Sequence, residues 1–492
     1  MIVLFNPLST TPGKQPLPLS LMALAAVLES HDRWTLVDGN VTHDPAAAII
    51  ELLTRAPASE FSMLAVTVMP GPQVPQAIAV SRAVKAALPS LPIVWGGYFP
   101  TQHADIVLAS SFVDFVVKSQ GERPLLDLIA ALKAGGSLER VGSLCRKADG
   151  RVVHNPAAPM TPLDDLPDLP YHRVDMRHYI HANYLGRRTV AHSSSFGCPF
   201  ACSFCAVVAM SNRHWLAQSA VRIERAVRHL VTTYGVDAVQ MHDMDFFLSE
   251  DRTAEFAARI APLGIRWWAL GRVDRLMEFS ERTWRAMATS GLKMVFTGAE
   301  SGTDETLRAM NKGGKASARL TLDLAERMRR HAIIPEFSFV LGCPPDPEQD
   351  VARTFEFIRE IKRINSASEI VLYTYTPVPA EGALLAAARD GGFHFPSSLD
   401  EWASPDWRQL SMRRGHAIPW IQTPIKRRIR NFERVINAFY PTVTDQRLTR
   451  ARRLLLKCFS AWRYATGFYA APYELRALQR LMAYQRPETT GF

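Results

Sequence analysis

A chain of 492 residues, 47% of them hydrophobic, is long enough for about three domains, each with its own core. No apolar run reaches the ~18 residues a membrane-spanning helix needs, and the first residues lack a basic stretch leading into a cleavable apolar one, so the expectation is a cytoplasmic globular protein. The net charge of +10 sits at one end: residues 405–492 carry 17 Lys and Arg against 5 Asp and Glu, an excess of +12 that leaves the rest at −2.

Residues 1–140 alternate short apolar runs with helical patterns. IVLFNP at 2–7 leads to a helix over 19–29, WTLVDGN at 34–40 and MLAVTVMP at 63–70, then to a helix near 74–88, PIVWGGYFP at 92–100 and VDFVVKSQGE at 113–122. Buried strands separated by helices predict an α/β doubly wound parallel sheet. Ligands of such sheets lie at the carboxyl ends of the strands, where Thr67, Gly96, Gly97 and Gly121 fall. Residues 141–187, rich in Pro and Asp, read as an extended connector.

From 188 to 400 a second series begins, with strands predicted at 188–195, 237–242, 266–271, 292–299, 336–342 and 369–376 and helical pattern between them. These βα units make a partial (β/α)6 barrel, whose chemistry belongs at the C-terminal rim of its strands. Residues 401–492 read as a basic helical domain. Its helix from Thr423 aligns Ile425, Ile429, Phe432, Val435, Ile436 and Phe439 in one stripe flanked by Lys426, Arg427, Arg428, Arg430 and Arg434. RARRLLLKCFSAWRYATGF at 450–468 repeats the combination. Packing onto the barrel is one reading of these helices, and a surface that meets anionic lipid at the inner membrane face or an acidic substrate is the other.

Six cysteines are too few for a disulfide scaffold, and three of them, Cys198, Cys202 and Cys205, stand together as C-x3-C-x2-C after the first barrel strand. Three thiolates on one loop can ligate three irons of a cubane and leave the fourth open. A zinc site would bring a fourth Cys or His at recognisable spacing.

This loop, with the aromatic Phe204 just before its third cysteine, resembles that of the radical S-adenosylmethionine superfamily. The resemblance implies a [4Fe–4S] cluster whose open iron chelates S-adenosylmethionine and whose reduction yields a 5′-deoxyadenosyl radical. VQMHDMDFFLSEDR at 239–252 resembles the D-x-x-F-F segment of the cobalamin-dependent subgroup, which implies that Asp243, with Asp245 in reserve, holds the amino group of the cosubstrate. By the same resemblance WALGRVD at 268–274 offers Arg272 to its carboxylate. VFTGAESGTDETLRAMNKG at 295–313 offers Glu300 to the ribose, and FVLGCPPD at 339–346 puts Gly342 beside the adenine. Read as plain structure, Asp245 caps a helix, Arg272 pairs with Asp274 and Gly342 ends a strand.

WGGYFPTQHADIVLASSFVDFVVKSQGERPLLDL at 95–128 resembles the cobalamin-binding domain found upstream of this module. Gly96 and Gly97 let the backbone approach a bulky ligand, and Thr67 and Thr101 offer it hydroxyls. The D-x-H-x-x-G signature that supplies an axial histidine is absent from 1–140, and His31, His43 and His103 lie outside that pattern. Cobalamin is therefore expected without a protein histidine on cobalt, with Tyr98 and Phe99 available to pack against the corrin.

The family resemblance implies methyl transfer to an unactivated carbon of a small-molecule or lipid-like substrate, fed by a one-electron reductant of the flavodoxin or ferredoxin type. Oxidative cyclisation, as in the anaerobic magnesium-porphyrin cyclases, is the alternative enzyme reading, and a non-catalytic cobalamin sensor the remote one. Nucleic acid is not an expected partner: the related methylthiotransferases of transfer RNA carry extra N-terminal cysteines, and here Cys145 alone precedes the triad.

Overall fold

A computed structural model of the chain describes all residues except 11, 12, 58, 314, 408–417 and 485–492. The first sheet joins β1 (Ile2–Asn6), β2 (Trp34–Asp38), β3 (Met63–Thr67), β4 (Ile93–Gly96), β5 (Phe115–Val117), β6 (Leu144–Ala148) and β7 (Arg151–His154) in the order β2-β1-β3-β4-β5-β6-β7. The first five are parallel, and β1 is buried along its whole length because helices cover both faces of the sheet. Val3, Phe5 and Trp95 point into one core, and Ile2, Leu4 and Val94 into the other. The order reverses between β1 and β3, and the crevice at their carboxyl ends is the binding position of such sheets.

Residues 144–154 are not extended connector. They form an antiparallel hairpin that continues the sheet, turning at Asp149 and Gly150, which both take positive φ (49° and 74°). An Asp-Gly pair is the residue choice for a two-residue turn of this hand.

The second sheet is parallel throughout. From one edge to the other it runs β15 (Glu369–Thr374), β14 (Ile334–Leu341), β13 (Leu292–Glu300), β12 (Arg266–Gly271), β11 (Ala238–Met241) and β8 (Thr189–His192). Helices pack outside it, for example Ala220–Tyr234, which Ser219 caps by accepting from Arg222 N at 3.3 Å and Gly235 ends at φ 63°. The strand expected at 188–195 is two elements: β8, then β9 (Ser195–Gly197) in an antiparallel pair with β10 (Trp215–Ala217). The ladder breaks because Ser194 turns its N–H and hydroxyl to Asp243. The triad therefore follows β9, which belongs to this two-stranded pair and not to the six-stranded sheet.

At the opposite, N-terminal end of the barrel strands, register places Glu336 of β14 beside Glu369 of β15. Both are buried: Trp268 Nε1 donates to Glu336 at 3.1 Å, and Glu369 accepts from Thr442 Oγ1 at 2.8 Å.

The stripe of helix Thr423–Phe439 is covered by protein. Ile425, Phe432, Val435 and Ile436 are buried, and Phe432 stacks on Phe355 of helix Pro347–Ile364 at 3.7 Å and 7°. Tyr464 of helix Arg450–Thr466 stacks on Phe439 at 4.2 Å. The membrane reading of that stripe is thereby overturned: the face that was to meet lipid meets the barrel.

Candidate active site

Gly197 turns the chain from β9 into the cysteine loop at φ 79°, and a Cβ there would stand 2.3 Å from His214 O. Only glycine fits such a close approach of two backbones. The loop is then pinned to the segment after β13: Ser203 N donates to Met310 O at 3.0 Å, and Asn311 Nδ2 to Ala201 O at 2.8 Å. Cys202 is buried, and Cys198 and Cys205 are half-buried. Burial pushes the Cys198 thiol up to about 12, so the charged form is one that bound iron must draw out.

Arg272 follows β12 and reaches this loop. Its guanidinium lies 3.6 Å from the centroid of the Phe200 ring, pairs with Asp274 at 2.9 and 3.0 Å, and donates to Cys202 Sγ at 3.4 Å. It also donates to the carbonyl of Lys312. Both the pairing with Asp274 and the approach to the triad, alternatives in the sequence, are present together.

Glu300 ends β13 at φ 64° and pairs with Lys312 at 2.6 Å, both side chains being buried. A Cβ on Gly298 would overlap that pair, 2.0 Å from Glu300 Oε1 and 2.6 Å from Lys312 Nζ. Lys312 also lies 5.7 Å from the Phe204 ring. Neither Lys312 nor Phe200 was singled out in the sequence, although both stand inside the quoted segments.

The two candidate aspartates differ in what they face. Asp243 accepts from Ser194 N at 3.1 and 3.2 Å and from Ser194 Oγ at 2.8 Å, and Arg252 reaches the same hydroxyl at 2.6 Å. Asp245 accepts from Phe247 N at 3.2 Å through one oxygen, and its other oxygen is buried without a hydrogen bond. Burial pushes the Asp245 carboxyl up to about 7 against the pull of Arg272 and Lys312. The first choice from sequence is thus occupied by structure, and the reserve is the carboxylate with an oxygen to spare. Gly342 turns at φ 75°; its N–H donates to Asp350 at 2.8 Å, its carbonyl accepts from Trp420 at 3.0 Å, and a Cβ there would stand 2.5 Å from Ile421 Cδ1.

On the first domain, Gly97 has φ 96°, and a Cβ there would stand 3.1 Å from Thr67 Oγ1 and Val68 O. Thr67 and Gly96 end β3 and β4, Thr101 Oγ1 accepts from Ser119 N at 3.1 Å, and Gly121 precedes helix Glu122–Ala134. His31 and His43 are exposed, whereas His103 is held between Phe99 and Trp402, 5.0 and 4.6 Å between ring centroids. Burial lowers His103 to about 4. Phe99 is fully buried against Trp402 and has no face left for a corrin.

Tyr98 crosses between the domains. It leaves the Gly96–Gly97 turn, donates its hydroxyl to Met244 Sδ at 3.1 Å and lies near enough to Cys198 and Cys205 to feel their charge. Gln102 Nε2 reaches Ala206 O at 3.4 Å beside it. The segment that follows β4 in the first sheet therefore meets Ala206, next to the cysteine loop, and Met244 after β11. Sequence reasoning put Tyr98 against the corrin; its position directly after two glycines was the available signal that it leaves the sheet.

Among the described residues, no three Cys, His, Asp or Glu side chains converge as a single metal ion would need. A cubane asks for something else: three thiolates spread over three irons, with donors aimed at sulfur, as Arg272 is at Cys202.

Two family models match the chain. Residues 193–358 match the radical SAM superfamily and residues 7–129 the B12 binding domain. The chain is 25% identical over 348 residues to an uncharacterized methyltransferase of Pyrococcus horikoshii, covering 70% of this chain and 73% of the relative. It is 26% identical over 284 residues to the anaerobic magnesium-protoporphyrin IX monomethyl ester cyclase of a Synechocystis species, covering 57% of this chain and 54% of that enzyme. Among solved structures, the cobalamin-dependent S-adenosylmethionine radical enzyme OxsB, with aqua-cobalamin and S-adenosylmethionine bound, superposes with a TM-score of 0.71 at 15% identity, over 98% of this chain and 75% of that one.

Proposed function

Since the chain is a cobalamin-dependent radical S-adenosylmethionine enzyme, we propose that it transfers a methyl group to an unactivated carbon of a small-molecule or lipid-like substrate. The observation that carries this reading is the apposition of the two domains at Tyr98. Tyr98 and Gln102, which follow the Gly96–Gly97 turn of the first sheet, touch Met244 and Ala206 beside the cysteine loop, and this supports a substrate held between the two domains.

When bound, the cluster and its cosubstrate supply one-electron chemistry that removes a hydrogen atom, and cobalamin supplies the methyl group. Cys198, Cys202 and Cys205 hold the cluster. Asp245 takes the amino group of the cosubstrate through its unpartnered oxygen, and Arg272, fixed by Asp274, takes the carboxylate. Lys312 holds Glu300 toward the ribose. On the first domain, Gly96, Gly97 and Gly121 would allow close approach of the backbone to cobalamin and Thr67 and Thr101 would donate to its polar groups, while His31, His43 and His103 would take no part. The half-buried Tyr98 and Phe204 border the space between and limit water there.

The reading includes an electron donor of the flavodoxin or ferredoxin type, a cytoplasmic setting and peripheral contact with an anionic membrane. The kinship with the Synechocystis cyclase gives oxidative cyclisation as the second reading. Reconstituted enzyme incubated with methyl-labelled cosubstrate and cell extract separates the two. Label in a product heavier by one carbon is the expected result, and an unlabelled product that has only lost hydrogens would replace methylation by cyclisation.

A further inference from the structure

Helix Arg450–Thr466 is apolar on two sides. Its inner side buries Leu456 and Tyr464 against the helix Thr423–Phe439. Its outer side presents Leu454, Leu455, Phe459 and Trp462, which are 63%, 41%, 46% and 51% exposed, with the exposed Cys458 among them. At 3.6 residues per turn these five, together with Ala451 and Ala465, fill one continuous arc. Phe468, 50% exposed, extends the arc by stacking on Trp462 at 5.8 Å and 26°.

The borders of the arc are basic: Arg450 and Lys457 lie on one edge and Arg452 on the other, and no Asp or Glu occurs from Gln446 to Tyr473. Helix Tyr473–Leu481 repeats the pattern, with Tyr473 and Leu481 72% and 83% exposed beside Arg476 and Arg480. A solvated helix carries polar residues on its outer side, so a broad outward arc of Leu, Phe and Trp marks an interaction face.

We propose that the outer face of helix Arg450–Thr466 lies in the headgroup region of an anionic lipid bilayer, with Leu454, Leu455, Phe459 and Trp462 inserted at the acyl boundary. Charge decides the occupant. A second copy would bring two cationic rims together over the apolar centre, whereas acidic headgroups neutralise the rims while the centre is buried. Trp and Phe beside Arg and Lys is also the composition of a membrane interface. The proposal rests on the reading of the basic tail as a membrane contact and is independent of which radical reaction the barrel performs.

The test uses the full chain with its cluster loaded, sedimented with vesicles of phosphatidylcholine alone and of phosphatidylcholine with phosphatidylglycerol. Wild type should bind the anionic vesicles and release as salt rises. The exposed triple variant Leu455→Gln, Phe459→Gln, Trp462→Gln should bind at least about tenfold more weakly with unchanged iron content and circular dichroism. The variant Arg450→Gln, Arg452→Gln, Lys457→Gln should lose the preference for phosphatidylglycerol.

If wild type binds and neither variant differs from it, the helix assignment is overturned and the membrane reading stands. If wild type ignores anionic vesicles at low salt, both fall. If the apolar variant instead turns a dimer into a monomer on sedimentation velocity without affecting vesicle binding, the face joins two copies and the proposal is wrong.

Discussion

Replacing Glu336 by Gln should flatten the pH dependence of stability. Glu336 sits inside the barrel beside Glu369 with Trp268 donating to it, and burial pushes its carboxyl up from 4.5 to about 8. A carboxyl raised in the folded state contributes stability that is fully present below the unfolded value and is lost as pH rises through the folded one. The loss therefore begins near pH 4.5 and is complete above about 8, a span of about 3.5 pH units. At 1.36 kcal/mol for each unit this sets a ceiling of about 5 kcal/mol, and relaxation around the charge brings the expected effect to a few kcal/mol.

Glutamine keeps an acceptor for Trp268 Nε1 and cannot ionise. Because the chain has several domains, a local readout is needed: hydrogen exchange of the β14 amides at several pH values between about 5 and 8, wild type against variant. The variant should gain relative protection steadily with pH. A constant difference across the range, or a variant less protected at every pH, would refute the burial argument.

Cys198→Ala, Cys202→Ala and Cys205→Ala should each lose the reduced cluster signal at low temperature and most of the roughly four irons of a cubane, while Cys145→Ala, buried in the first sheet, should lose neither. Arg272→Lys gives up the forked pairing with Asp274 and the stacking on Phe200. By leaving a buried carboxylate poorly matched it should cost about 3 kcal/mol and weaken S-adenosylmethionine binding, which equilibrium dialysis reads. The spin-resonance spectrum of the cob(II)alamin state should lack nitrogen coupling from a histidine. His43→Ala and His103→Ala should leave it unchanged, since His43 is exposed and His103 is held between Phe99 and Trp402.

Both sheets were legible because their strands are covered on both faces and so appear as unbroken apolar runs, as in IVLF and WWAL. The cysteine loop was legible from spacing alone. Two of the features that escaped depend on contacts between segments far apart in the chain. Asp243 and Asp245 are two residues apart, and the first is engaged by Ser194, some fifty residues upstream, which turns its N–H and hydroxyl onto it. The stripe of helix Thr423–Phe439 looked like a free amphipathic face because periodicity shows that a face will be covered without saying by what; Phe355 covers it. The hairpin at 144–154 was signalled by Asp149-Gly150 but lay in a segment whose prolines suggested no structure.

The central claim, that two cofactors act on one carbon, is tested most directly by the products of the cosubstrate. Methyl transfer with radical activation consumes S-adenosylmethionine in two ways, so turnover with substrate should release S-adenosylhomocysteine and 5′-deoxyadenosine in equal amounts, measured together by mass spectrometry. Formation of 5′-deoxyadenosine with no S-adenosylhomocysteine during turnover would contradict the account.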